Sequence, residues 1–240
     1  MNKKLSVIFI AISLAISAVM FIASDNIILT ALTLVINLAV SFLLFIPKLF
    51  IFQKVTRRYH ECFHFINNFI ISLSIKKTVS SALENTSLSM DASFQDMYQG
   101  LENMGDNEKL NYLNGSYFPF HVYRLFLHVV SLFEEEGGDV LAMSKYLLDE
   151  ARYGEEYVSN SIRLVRSKYI EVAILWTISL SILVLLRFAL SDFFSLIKTQ
   201  ALYIISLFIL SLFIIFTIFL LIKKATNLKL KGYDPHEKIV

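Results

Sequence analysis

A 240-residue chain that is 56% hydrophobic, with a mean hydropathy of +0.61, is too apolar for a soluble domain of that size. Its net charge is only +2 and no basic-aromatic surface stands out, which excludes a nucleic-acid partner. With 7 glycines and no G-K-[ST] run the chain has no phosphate-binding loop, so it is not itself a motor ATPase, and the single Cys62 excludes an internal disulfide.

The apolar residues fall into four spans, at 5–23, 27–46, 170–190 and 201–222. Each is about 20 residues, the length a helix needs to cross ~30 Å of hydrocarbon. A crossing segment must satisfy its own backbone N–H and C=O groups, which selects helix. The first span is read as a retained helix and not a cleaved leader, because its apolar stretch is long and a second span follows at once. Basic residues mark the inner side of a membrane. Lys3 and Lys4 precede span one, and Lys48, Lys54, Arg57 and Arg58 follow span two. Arg163, Arg166 and Lys168 precede span three, and Lys223, Lys224, Lys229 and Lys231 follow span four. The turn at 24–26 has no basic residue and the loop at 191–200 only Lys198. Both termini and the central block are therefore expected in the cytoplasm. Lys54, Arg57, Arg58, Arg163, Arg166 and Lys168 are also expected to touch anionic lipid. Arg187 is expected to snorkel to the outer interface, toward Asp192. No span carries a central charge, which argues against an ion or proton transporter.

The polar block reads as all helix. Phe63, Ile66, Ile70 and Leu73 recur at helical spacing, followed by Val79, Ala82 and Leu83. Asp91 or Ser93 can cap a helix running to about Met104, with a turn at 103–107. Asn114-Gly115-Ser116 reads as another break and Pro119 as a helix start. Val122, Leu125, Phe126, Val129, Val130 and Phe133 form a stripe that Gly137-Gly138 ends. Asp139 caps the next helix, which is expected to continue into span three. Helices with apolar stripes must bury them together, so the fold class is all-α: four transmembrane helices with a cytoplasmic antiparallel helical bundle between two helical hairpins. The expected divisions are 1–50, 51–168, 169–223 and a tail at 224–240.

Two constellations carry possible chemistry. His60-Glu61-Cys62-Phe63-His64 matches H-E-x-x-H, in which two histidines one helical turn apart hold zinc and the glutamate is the base. Glu84 is a candidate third ligand, so a membrane zinc protease is the alternative reading. Against it, Phe63 and His64 open an apolar stripe, which gives the segment a packing role. Glu134, Glu135 and Glu136, with Gly137, Gly138 and Asp139, make an acidic turn, read as solvated or as a partner contact.

Residues 65–87, FINNFIISLSIKKTVSSALENTS, and 125–152, LFLHVVSLFEEEGGDVLAMSKYLLDEAR, resemble the two helical hairpins of the type II secretion F-domain family. Ala82-Leu83 match the family's Ala-Leu pair, and the acidic-glycine turn lies between two helices as it does there. Ser72-Leu73-Ser74 stands where the family usually turns on glycine. The layout is similar to the compact Tad-type pilus platform proteins, which have one F domain. The resemblance implies a membrane scaffold with no catalytic residue, cofactor or metal. Its implied partners are a cytoplasmic secretion ATPase, pilins or pseudopilins, membrane lipid, and a sister platform protein or a second copy.

Overall fold

The computed structural model describes residues 3–226; Lys229, Lys231 and His236 lie outside the described residues. Among those described, all regular structure is helical: α1 (Lys3–Ser24), α2 (Ile27–Val40), a π-helical turn (Ser41–Phe45), α3 (Ile46–Lys76), α4 (Val79–Leu88), α5 (Ala92–Gln99), α6 (Asp106–Ser116), α7 (His121–Glu136), α8 (Val140–Ala189), α9 (Ser191–Ile197) and α10 (Ala201–Thr226). Four helical stretches are long and apolar enough to cross a membrane; two of them, Ile27–Lys76 and Val140–Ala189, are 50 residues each. The residues divide into two compact units, one of 54–160 and one of the remainder.

In the unit made of residues 3–53 and 161–226, α1 packs on α2 and α10. Asn26 starts α2, its Oδ1 accepting from the backbone N–H groups of Ile28 (2.9 Å) and Leu29 (3.2 Å). The π turn ends two residues before Pro47. Proline lacks the N–H an α-helix would use and crowds the carbonyl four residues back, and a wider turn accommodates both. The ion pair of Lys198 Nζ with Asp25 (3.0 Å) and the bond from Tyr203 Oη to Ala23 O (2.7 Å) join the two short turns at one end. That pairing holds the Asp25 carboxyl below its ordinary range. At the other end Phe45, Ile215 and Ile222 form a cluster with Leu49, Tyr169 and Phe219, and Lys48 lies over the Phe219 ring. The Arg187 guanidinium, expected to reach toward Asp192, lies over the Phe194 ring at 4.9 Å.

The second unit has one hydrophobic core running from Val55 to Val158. Phe65 is at its centre, with Phe69, Phe94, Phe118, Tyr123 and Phe126 at ring-centroid distances of 5.5 to 6.1 Å. On α8 the inward positions are Val140, Ser144, Leu147, Ala151 and Val158, spaced three, four and seven apart as a helix face requires.

Several turns differ from expectation. α3 runs through Ser72–Ser74 and stops at Lys76; the turn is at Lys77, at φ 58°. α5 ends at Gln99 and not near Met104, and α6 continues through Asn114 and Gly115. α7 begins at His121, because the Phe120 backbone is still extended. α7 ends at the expected Gly137-Gly138 turn, but not in a left-handed helical cap. Gly137 has φ 66° and ψ −158°, a region that is essentially glycine's alone. Asp139 Oδ1 then accepts from Leu141 N (3.0 Å) and Ala142 N (3.4 Å).

Candidate functional site

The H-E-x-x-H segment lies on α3, and its residues divide between core and surface. Cys62 is fully buried while His60 and His64 are exposed. His64 therefore does not open the apolar stripe; Cys62, Phe65, Ile66 and Phe69 do. Burial raises the Cys62 thiol's pKa, which keeps it protonated and unreactive.

Glu61 is buried and both carboxylate oxygens are engaged. Arg57 Nε donates to Oε1 at 2.7 Å, one helical turn before it, and Tyr117 Oη donates to Oε2 at 2.8 Å. Arg57 Nη2 also donates to Ser93 Oγ (2.7 Å). Arg58 lies 4.8 Å over the Tyr117 ring. Burial, and then the bond to Glu61, push the Tyr117 hydroxyl up to about 12. Glu61's hydrogen bond and charge raise the Arg57 guanidinium still further above neutrality. A carboxylate held in this way anchors α3 to the connector at 117–120. It is not free to activate a water, as a zinc protease needs of this position.

The zinc ligand set does not assemble either. α3 and α4 run antiparallel, since Asn68 Nδ2 donates to Ser89 Oγ (3.0 Å) across the turn at Lys77. Glu84, five positions before Ser89, is thus level with about residue 73, roughly 13 Å along the axis from His64 at ~1.5 Å per residue. Among the described residues no three His, Cys, Asp or Glu side chains come together in a metal-holding group. His60 Nδ1 instead contacts Glu155 Oε1 on α8, and the two histidine rings meet edge to face at 5.3 Å. Arg57, His60, Glu61, His64, Asn68, Ser89, Met90 and Asp91 line a shallow polar pocket of about 360 Å³.

Beside this pair the helices pack very closely. A Cβ on Gly154 would lie 1.6 Å from Tyr59 Oη, and Tyr59 is itself buried edge-on against Phe120 at 5.0 Å. Gly154 is therefore a point of close approach between α3 and α8.

Most of the other expected residues sit at the surface. Glu134, Glu135, Glu136, Gly137, Gly138 and Asp139 are all exposed, and Asn107 Nδ2 donates weakly to Glu134 (3.4 Å). Among the basic residues Arg163, Arg166 and Lys168 are exposed, Lys168 pairing with Glu171 at 2.6 Å. Lys54 and Arg58 are half-buried; burial and the Arg58 charge lower the Lys54 ammonium. The Arg57–Glu61 pair is readable in sequence from its four-residue spacing. Tyr117 and Glu155 are not, because they arrive from 56 and 95 positions away.

No family model matches the chain, and searches of the curated proteins and of the solved structures return no match.

Proposed function

We propose that this chain is a multi-pass scaffold of the prokaryotic cytoplasmic membrane, the platform protein of a type II secretion or Tad-like pilus machine. Its central unit is a cytoplasmic antiparallel bundle between two transmembrane hairpins, with both termini in the cytoplasm. It couples a cytoplasmic assembly ATPase to the extraction of pilins or pseudopilins, acting with a sister platform protein or a second copy. The observation that carries the reading is the unbroken helix Val140–Ala189. Its first half supplies core residues of the polar unit and its second half is an apolar span, so one continuous helix contributes to both. Two further features support it: the resemblance of residues 65–87 and 125–152 to the F-domain hairpins, and the use of Glu61, the one candidate base, as a structural anchor. Glu134, Glu135 and Glu136 are the proposed contact with a basic partner surface.

Crosslinking and pull-down from native membranes tests this. The assembly ATPase and pilins are expected with the wild-type chain, and Glu134→Lys/Glu135→Lys is expected to lose the ATPase. The remaining capture should fall with salt, since exposed charges are screened within about 10 Å at 0.1 M. Capture of neither partner class by the wild-type chain overturns the reading.

A further inference from the structure

We propose that His60 and His64 form a two-histidine site for a divalent transition-metal ion, with Glu155 as the carboxylate that orients His60. The site is structural and distinct from a protease centre, since Glu61 takes no part in it. Four residues apart on α3, the two imidazoles share one helix face, and both are exposed and line the same pocket. Helical i, i+4 histidines are a known metal-chelating spacing. The Nδ1 of His60 is held by Glu155 Oε1. Nδ1–H donating to a carboxylate leaves Nε2 with the free lone pair, and this carboxylate–histidine arrangement is the one that commonly fixes a metal-binding imidazole and raises its basicity.

Glu155 supplies the second, independent sign. Its other oxygen, Oε2, is buried without a hydrogen-bond partner, and a buried carboxylate oxygen left so is costly. Positive charge delivered through His60 offsets it. A hard cation such as Mg²⁺ would want several oxygens; two imidazoles favour Cu²⁺, Ni²⁺ or Zn²⁺. Asp91 lines the pocket but joins no three-residue ligand group, so water completes the coordination and the affinity is modest. Because Glu155 is on α8, a bound ion tightens the contact of α3 with α8 beside Gly154.

The test uses the full chain without a histidine tag, purified in detergent, stripped with chelator and titrated with Cu²⁺. One equivalent is expected to bind with nitrogen couplings in its electron paramagnetic resonance spectrum, and Zn²⁺ should displace it. His64→Gln, at an exposed position, should weaken binding at least tenfold with the circular dichroism spectrum unchanged. Glu155→Gln should weaken it about 10- to 100-fold, and Glu61→Gln should leave it unaltered. Binding of equal strength in wild type and His64→Gln, or no stoichiometric binding to wild type, overturns the proposal. A Glu155→Gln protein that fails to fold leaves the His64→Gln arm decisive. Loss of Cu²⁺ binding in Glu61→Gln with its fold intact also overturns it, in favour of a site that includes the glutamate.

Discussion

In residues 54–160 the largest fully buried side chains are aromatic, Phe65, Phe69, Phe94, Phe118, Phe120, Tyr123 and Phe126. In the other unit the buried positions include Ser13, Ser17, Thr33, Asn37, Ser41 and Ser211, while Ile28 and Leu202 are 77% and 78% exposed. The two burial patterns suit different solvents. In water, burying apolar area drives folding at about 25 cal/mol per Å². In hydrocarbon that force between helices is absent, and small and weakly polar residues let backbones approach instead. Thr33 and Asn37 fit this pattern: Thr33 Oγ1 donates to Thr30 O (3.0 Å) and Asn37 Nδ2 to Thr33 O (2.8 Å), so their polar atoms are satisfied within the helix.

The contrast is sharpened most strongly by paired truncations. Phe65→Ala removes the centre of the aromatic cluster and should destabilise the polar unit by about 3–5 kcal/mol. Ile178→Ala, on the exposed face of an apolar span, should change stability by less than about 0.5 kcal/mol. Thermal unfolding of the detergent-purified chain, with limited proteolysis of 54–160, distinguishes them; equal effects would break the comparison.

A smaller effect is expected where α3 meets α8. Gly154→Ala gains about 1 kcal/mol of helix propensity but drives a methyl into the buried Tyr59 ring. Overpacking of this kind costs ~1–3 kcal/mol, so a net loss of stability is predicted. Adding Tyr59→Ala should then cost less than the sum of the two single changes.

The smallest effect is alkaline. Tyr98 and Tyr117 are pushed up to about 12, chiefly by burial. Unfolded tyrosine titrates near pH 10. A group whose folded pKa is raised contributes stability that is full below its unfolded value and is lost as pH rises through the folded one. The polar unit should therefore be unaffected below about pH 10 and weaken progressively up to pH 12. Tyrosinate absorbance that develops in step with unfolding would support this; full ionisation with the fold intact would not.

Where strong local chemistry exists, the fold was legible in sequence. The four spans follow from hydropathy alone. The α7–α8 turn follows from Gly137-Gly138 and Asp139, and α8 continues into the third span as its unbroken pattern suggests. Boundaries set by tertiary packing were not legible. Lys77 takes a positive φ that its side chain does not advertise, whereas the family resemblance places the turn at Ser72–Ser74. Gly115 looks like a breaker, yet α6 passes through it because Leu110 and Leu113 are held in the core. At the candidate site the His60–His64 spacing and the Arg57–Glu61 pair were visible. The meaning of Glu61 was not, because Tyr117, which occupies its second oxygen, reaches it only through the fold.

The central claim, a cytoplasmic helical unit between two membrane hairpins, is tested most directly by single cysteines in a Cys62→Ala background. Ser195, Asn107 and Lys224 are all exposed and, unlike Asn26, cap no helix. In intact cells an impermeant thiol reagent should label cysteine at Ser195 and leave Asn107 and Lys224 unlabelled until the membrane is opened. Labelling of position 107 from outside, or protection of 195, would contradict the account.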